Sequence, residues 1–160
     1  MTWARRLREL AFGQPAAETP EIRRELAGYH LGFQERARRM AAHAALTPSA
    51  TCEEELSALA ADHERLAHQL GAAMTQRGVD VPSAPPRDAA APPAINHWAR
   101  LVQDLQGVRR ARDALLEAAT RIGDIDPPLG ELLGALSREC EAHAIRLRGL
   151  IARADPQALN

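Results

Sequence analysis

Apolar residues recur along this chain at alternating spacings of three and four, the pattern of helices that turn one face to a core. The stretch from Thr51 to Arg77 carries Leu56, Leu59, Leu66, Leu70 and Ala73 in such a seam. His63 falls on that seam, whereas Glu64 and His68 fall on the opposite, wet face. A second seam near the other end, Leu129, Leu133, Leu136, Cys140, Leu147 and Leu150, is interrupted in the same way by His143. Two further stripes complete the pattern. One runs through Ile22, Leu26, Tyr29, Phe33, Ala37, Met40, Ala41 and Ala44, with His30 on its border; the other through Trp98, Leu101, Leu105, Val108, Leu115, Ala119 and Ile122, with Arg112 breaking it. Tyr29 and Arg112 are thus expected as polar groups of the core.

Start and stop signals divide these stripes into four helices of similar length. Thr19 is placed to cap the first, with Pro20 at its first position and Glu21 near the positive end of its dipole. It is predicted to run to about Leu46, where Thr47, Pro48 and Ser49 make a connection short enough to turn the next helix antiparallel. Thr51 with Glu54 three residues on reads as a capping box for the second helix, and Gly78 as its stop. Residues 78–94 then hold Pro82, Pro85, Pro86, Pro92 and Pro93, a stiff linker of about 17 residues that can reach about 50 Å, more than the roughly 40 Å length of the second helix. A linker that crosses the bundle makes the second and third helices parallel. The third helix is predicted from about Ile95 to Ile122, and the last from a cap at Asp126, with Pro127 just inside, to about Arg153. The fold predicted is an all-α, antiparallel four-helix bundle over residues 18–155, with an amphipathic segment at 1–17 and a tail at 156–160. In that first segment Trp3, Leu7, Leu10 and Phe12 oppose Arg5, Arg6 and Arg8. It is expected to form a short helix on the bundle, with peripheral membrane contact through Trp3 to Phe12 as the alternative.

Composition narrows the picture. With 160 residues and 46% hydrophobic content the chain has material for one domain with a real core. Aromatics at 3% leave that core to Leu and Ala. The 20 basic residues are all Arg and stand against 21 acids, for a net charge of −1, which gives no footprint for nucleic acid. Cys52 and Cys140 do not have paired spacing and fit a reducing compartment. Without an apolar run of about 20 residues or a secretory signal, a cytoplasmic location and no membrane span are expected.

The helix hairpin with its AADHERLAHQL stretch, the Pro-rich linker and the closing PPLGELLGALSRECEAHAIRLRGLIAR helix resemble the ferritin-like four-helix-bundle superfamily, and more narrowly its small bacterial members. The resemblance covers roughly Pro20 to Arg153 and implies self-association through helix faces, as a homo-oligomer or with a protein partner. It also implies a metal site built from a Glu on each of two helices and Glu-x-x-His on each of the others. Here His63 matches one such histidine with Ala60 three residues before it, and His143 matches the other with Cys140 before it. Tyr29 and Phe33, then Val108 and Arg112, stand where carboxylates are required. The implied site is therefore degenerate, and the expected function is that of a non-enzymatic structural, stress-related or protein-interaction module.

Two alternatives stay open. If the linker crosses the bundle, His63 and His143 reach the same height with Cys140 one turn away, a set of borderline-soft ligands suited to a single Zn²⁺-like ion. Otherwise they are core histidines hydrogen-bonded to Tyr29, to neighbours of Arg112 or to water, with Arg112 either paired to a carboxylate such as Glu139 or snorkelling to the rim. The second alternative is LAHQLGAA, which resembles the histidine phosphotransfer motif. Ala67, His68, Leu70 and Gly71 match it, but the Lys between Leu70 and Gly71 is missing.

Overall fold

The computed structural model describes residues 19–83 and 96–154, and the regular elements among them are four helices. These are α1 (Pro20–Ala44), α2 (Ala50–Gln76), α3 (His97–Gly123) and α4 (Pro127–Ala154). The expected N-terminal helix through Trp3 and Phe12, the linker prolines at 85, 86, 92 and 93, and the tail at 156–160 lie outside the described residues.

Local chemistry sets the boundaries, with one shift from expectation. Ser49 rather than Thr51 caps α2: it is extended, and its hydroxyl accepts the Cys52 backbone N–H at 3.4 Å. Thr51 sits inside the first turn, so the expected box with Glu54 does not form the cap. At the other end of α2, Gly78 adopts φ +69 and lets the Val79 N–H reach back to the Met74 carbonyl at 3.0 Å. Asn96 caps α3 through the Ala99 N–H, and Asp126 caps α4 through the Leu129 N–H.

All four helices bury a leucine-rich stripe, including Leu26, Phe33 and Met40 from α1 and Leu56, Leu59, Leu66 and Leu70 from α2. Facing them are Leu101, Leu115 and Ile122 from α3 and Leu129, Leu133 and Leu147 from α4. Each such side chain contributes roughly 1.5–3 kcal/mol of transfer free energy. Two expected core positions are exposed instead, Ala41 and Trp98, the latter at 41%. His43 and Asp104, which the apolar stripes did not include, are buried at 3% and 1% exposure.

Contacts between helices follow a consistent order. From α1 to α3, Glu25 meets Arg121, Tyr29 meets Ala114, Arg39 meets Asp104 and His43 meets His97. From α2 to α4, Glu55 meets Arg146, Asp62 meets His143, Arg65 meets Glu139 and Arg77 meets Asp126. One partner's number falls as the other's rises in both series. Where α3 turns into α4 the chain packs backbone to backbone, since a Cβ on Gly130 would stand 2.5 Å from the Gly123 Cα.

Candidate functional site

The histidines of the two seams meet. His63 from α2 and His143 from α4 lie with ring centroids 4.8 Å apart and planes at 66°, and Phe33 from α1 lies 5.8 Å from His63 on another side. His63 is fully buried and neither of its ring nitrogens has a hydrogen-bond partner; His143 is 2% exposed and its Nδ1 is equally unpartnered. Burial, reinforced by His143, Arg36 and Arg39, pushes the His63 pKa down to about 2. Burial likewise lowers that of His143, against the opposing pull of Asp62, whose carboxylate is 3.5 Å from His143 Nε2. Both rings are neutral in the folded protein at ordinary pH.

The donor set does not fit a metal ion. Among the described residues no group of three His, Cys, Asp or Glu is arranged to hold one, and the two imidazoles fall short of the three protein ligands of even an open zinc site. The Arg36 guanidinium, over the Phe33 ring at 4.9 Å, supplies positive charge to this part of the core. Cys140 is fully buried, and burial pushes its thiol up to about 11.

The other expected site residues are dispersed. Arg112 is a partly exposed surface residue bound to Glu141 and Asp113, not to Glu139, which pairs with Arg65 instead. The inward position beside it is taken by Ala111, one residue and about 100° around the helix. Tyr29 is half-buried, and its hydroxyl lies 2.6 Å from Glu25 Oε1 and 3.2 Å from the Ala114 carbonyl. Neither Tyr29 nor Arg112 hydrogen-bonds the histidine pair. His68 is exposed in a cleft of about 880 Å³ whose lining includes Arg38 and Glu64.

A second histidine pair, which the apolar pattern did not single out, lies where α1, the start of α2 and the start of α3 meet. His43 Nε2 is 3.0 Å from His97 Nδ1, His43 Nδ1 is 2.8 Å from Asp104 Oδ2, and His97 Nε2 is 3.6 Å from the Cys52 sulfur. The other oxygen of Asp104 accepts the Arg39 Nε–H at 2.7 Å. Because an ionised carboxylate can only accept, His43 donates from Nδ1, and in its neutral form the ring then accepts at Nε2 from His97 Nδ1–H. His97 Nε2 then accepts from the Cys52 thiol. Every link runs the same way, from Cys52 through His97 and His43 to Asp104. Burial, His43 and Arg100 lower the His97 pKa, so His97 is held neutral. Gly107 makes room for the anchor, since a Cβ there would stand 2.7 Å from Arg39 Nη2.

The sequence carried traces of this array. Arg39 and His43 are four apart and His97 and Asp104 seven apart, so each pair shares a helix face. A glycine in the middle of α3 lowers helix propensity by about 1 kcal/mol relative to Ala, which marks Gly107 as a place where something approaches closely. Comparison with family models, curated proteins and solved structures finds no match to this chain.

Proposed function

We propose that this chain is a ferritin-like antiparallel bundle that serves as a structural, stress-related or protein-interaction module and does not oxidise iron. The observation that carries this reading is the centre of the core, where an edge-to-face pair of neutral imidazoles stands beside Phe33 instead of converging carboxylates. Two metals bridged by oxygen chemistry need hard, charged ligands. His63, His143, Phe33 and Val108 supply no such charge.

The order of contacts supports the topology. If α1 opposes α3 and α2 opposes α4, then α2 and α3 are parallel and the connection between Arg77 and His97 runs from one end of the bundle to the other. Arg77 sits on Asp126 at one end and His97 on Cys52 at the other, as that path requires. The two cysteines are free thiols, which suits a reducing, cytoplasmic setting. No helix among the described residues is long and apolar enough to cross a membrane. Partner contact, with a second copy or another protein, is assigned to the helix faces, where Leu116 and Ile145 are 56% exposed.

Aerobic oxidation of Fe²⁺ is the test. The expected rate equals the buffer control, and metal analysis of untagged protein should find no stoichiometric ion. Oxidation well above the control that disappears in His63→Ala would prove the reading wrong.

A further inference from the structure

Cys52, His97, His43, Asp104 and Arg39 form a hydrogen-bonded chain, with a thiol at one end and an anchored carboxylate at the other. We infer that Cys52 is a peroxide-reactive thiol whose proton is handed through His97 and His43 toward Asp104, a modification site that does not depend on the bundle's role as a module.

When the thiol loses its proton to His97 Nε2, the proton on His97 Nδ1 can pass to His43 Nε2 in the same event. His97 ends neutral, and the positive charge lies on His43, whose Nδ1–H is 2.8 Å from the buried Asp104 carboxylate. The second histidine therefore spares His97 a charge that its surroundings oppose. Arg39, on the other carboxylate oxygen, holds Asp104 in place. The sulfur also benefits from its position: Cys52 is the third residue of α2, within the first turn, where the helix dipole favours an anion.

Cys140 is a control within the same molecule. It is fully buried, has no imidazole hydrogen-bonded to its sulfur, and burial pushes its thiol up to about 11. Cys52 combines a proton acceptor with a small opening to solvent, at 6% exposure. That opening sets the class of reagent. With only 6% of the residue exposed, the reagent that fits is one the size of hydrogen peroxide and not a peptide or an acyl chain. In the step, sulfur attacks one peroxide oxygen, the S–O bond forms and the O–O bond breaks. The leaving oxygen takes the proton from His97 Nε2 while His43 returns its proton to His97 Nδ1. The sulfur is oxidised by two electrons to a sulfenic acid and the peroxide is reduced to water.

Hydrogen peroxide applied to the folded full chain, with dimedone to trap the sulfenic acid and peptide mass spectrometry to read each cysteine, tests the inference. Cys52 should be labelled well before Cys140. His97→Gln and His43→Gln should each slow labelling at Cys52 by about a hundredfold, the low end of what a positioned base supplies. Loosening of the fold alone would raise labelling at both cysteines, so it is distinguished from loss of the relay. Equal labelling of Cys52 and Cys140 in the native protein, or a Cys52 rate unchanged in both variants, overturns it. If neither variant folds, the pH profile of the unmodified chain decides. A rate at Cys52 that is nearly flat from about pH 6 to 9 supports proton loss inside the relay. A rate rising roughly tenfold per pH unit, as for an ordinary thiol below its pKa, contradicts it.

Discussion

Two pairs of imidazoles in this bundle share nearly the same ring geometry. Centroids are 4.8 Å apart for His63 with His143 and 5.0 Å for His43 with His97, and both pairs cross at 66°. Their chemistry differs because their edges point at different things. In the seam pair, three of the four ring nitrogens are buried without a partner and the fourth has only a long approach to Asp62. In the end pair all four nitrogens are engaged, on a carboxylate, on each other and on a thiol. Ring packing alone therefore does not make a site. What the end pair has in addition is an anchored carboxylate, which fixes both tautomers and gives the protons a direction.

The largest contrast should come from removing the acids. Asp104→Ala leaves His43 and Arg39 facing a buried gap and should cost roughly 3–5 kcal/mol in urea unfolding. Asp62→Ala removes a half-exposed partner of His143 and should cost less than about 1 kcal/mol.

Acid comes next. His63 binds a proton at about 6.5 when unfolded and at about 2 when folded, so between those values the unfolded state holds more protons. The stability this group contributes is fully present above pH 6.5 and is lost as pH falls, by about 1.4 kcal/mol per pH unit. His143 acts in the same direction. His63→Leu should remove one proton's worth of this slope, read from urea midpoints at a series of pH values.

The two pairs should also separate at neutral pH. His43→Leu strands the Asp104 oxygen and His97 Nδ1 and should destabilise by roughly 1–3 kcal/mol. His63→Leu replaces an unpartnered polar ring by an apolar side chain and should be neutral or stabilising by about 1 kcal/mol. Equal losses for the two would erase the distinction. The smallest effect belongs to Arg112→Ala, which removes only surface contacts and should leave the unfolding midpoint where it was.

How far the sequence foretold this follows from what periodicity measures. Leucine spacing located the α2 and α4 seams, and it found His63 and His143 because each occupies a position leucine would fill. It passed over Asp104 because a lone carboxylate counts as evidence of a wet face. Its burial makes sense only once Arg39 and His43 are known to stand opposite, which depends on how α1 packs on α3. Trp98 misled in the other direction: an apolar ring at the start of α3 was read as core, whereas the inward place in that turn belongs to its neighbour His97 and to Leu101. Arg112 was assigned to the seam by a drift of one residue, since Val108, Ala111 and Leu115 already fill the inward face. Cys52 was read only as a cysteine without paired spacing, but the partner that matters to it is a histidine on another helix.

The most direct test of the difference between the pairs is a long-range ¹H–¹⁵N NMR titration of the histidine-labelled protein, which reads the tautomer and charge of each ring. His43 and His97 should each carry a proton on Nδ1 at pH 7, and His63 should stay neutral wherever the protein is folded. A proton on His43 Nε2, or a His63 ring that titrates near 6.5 in the folded chain, would contradict these assignments.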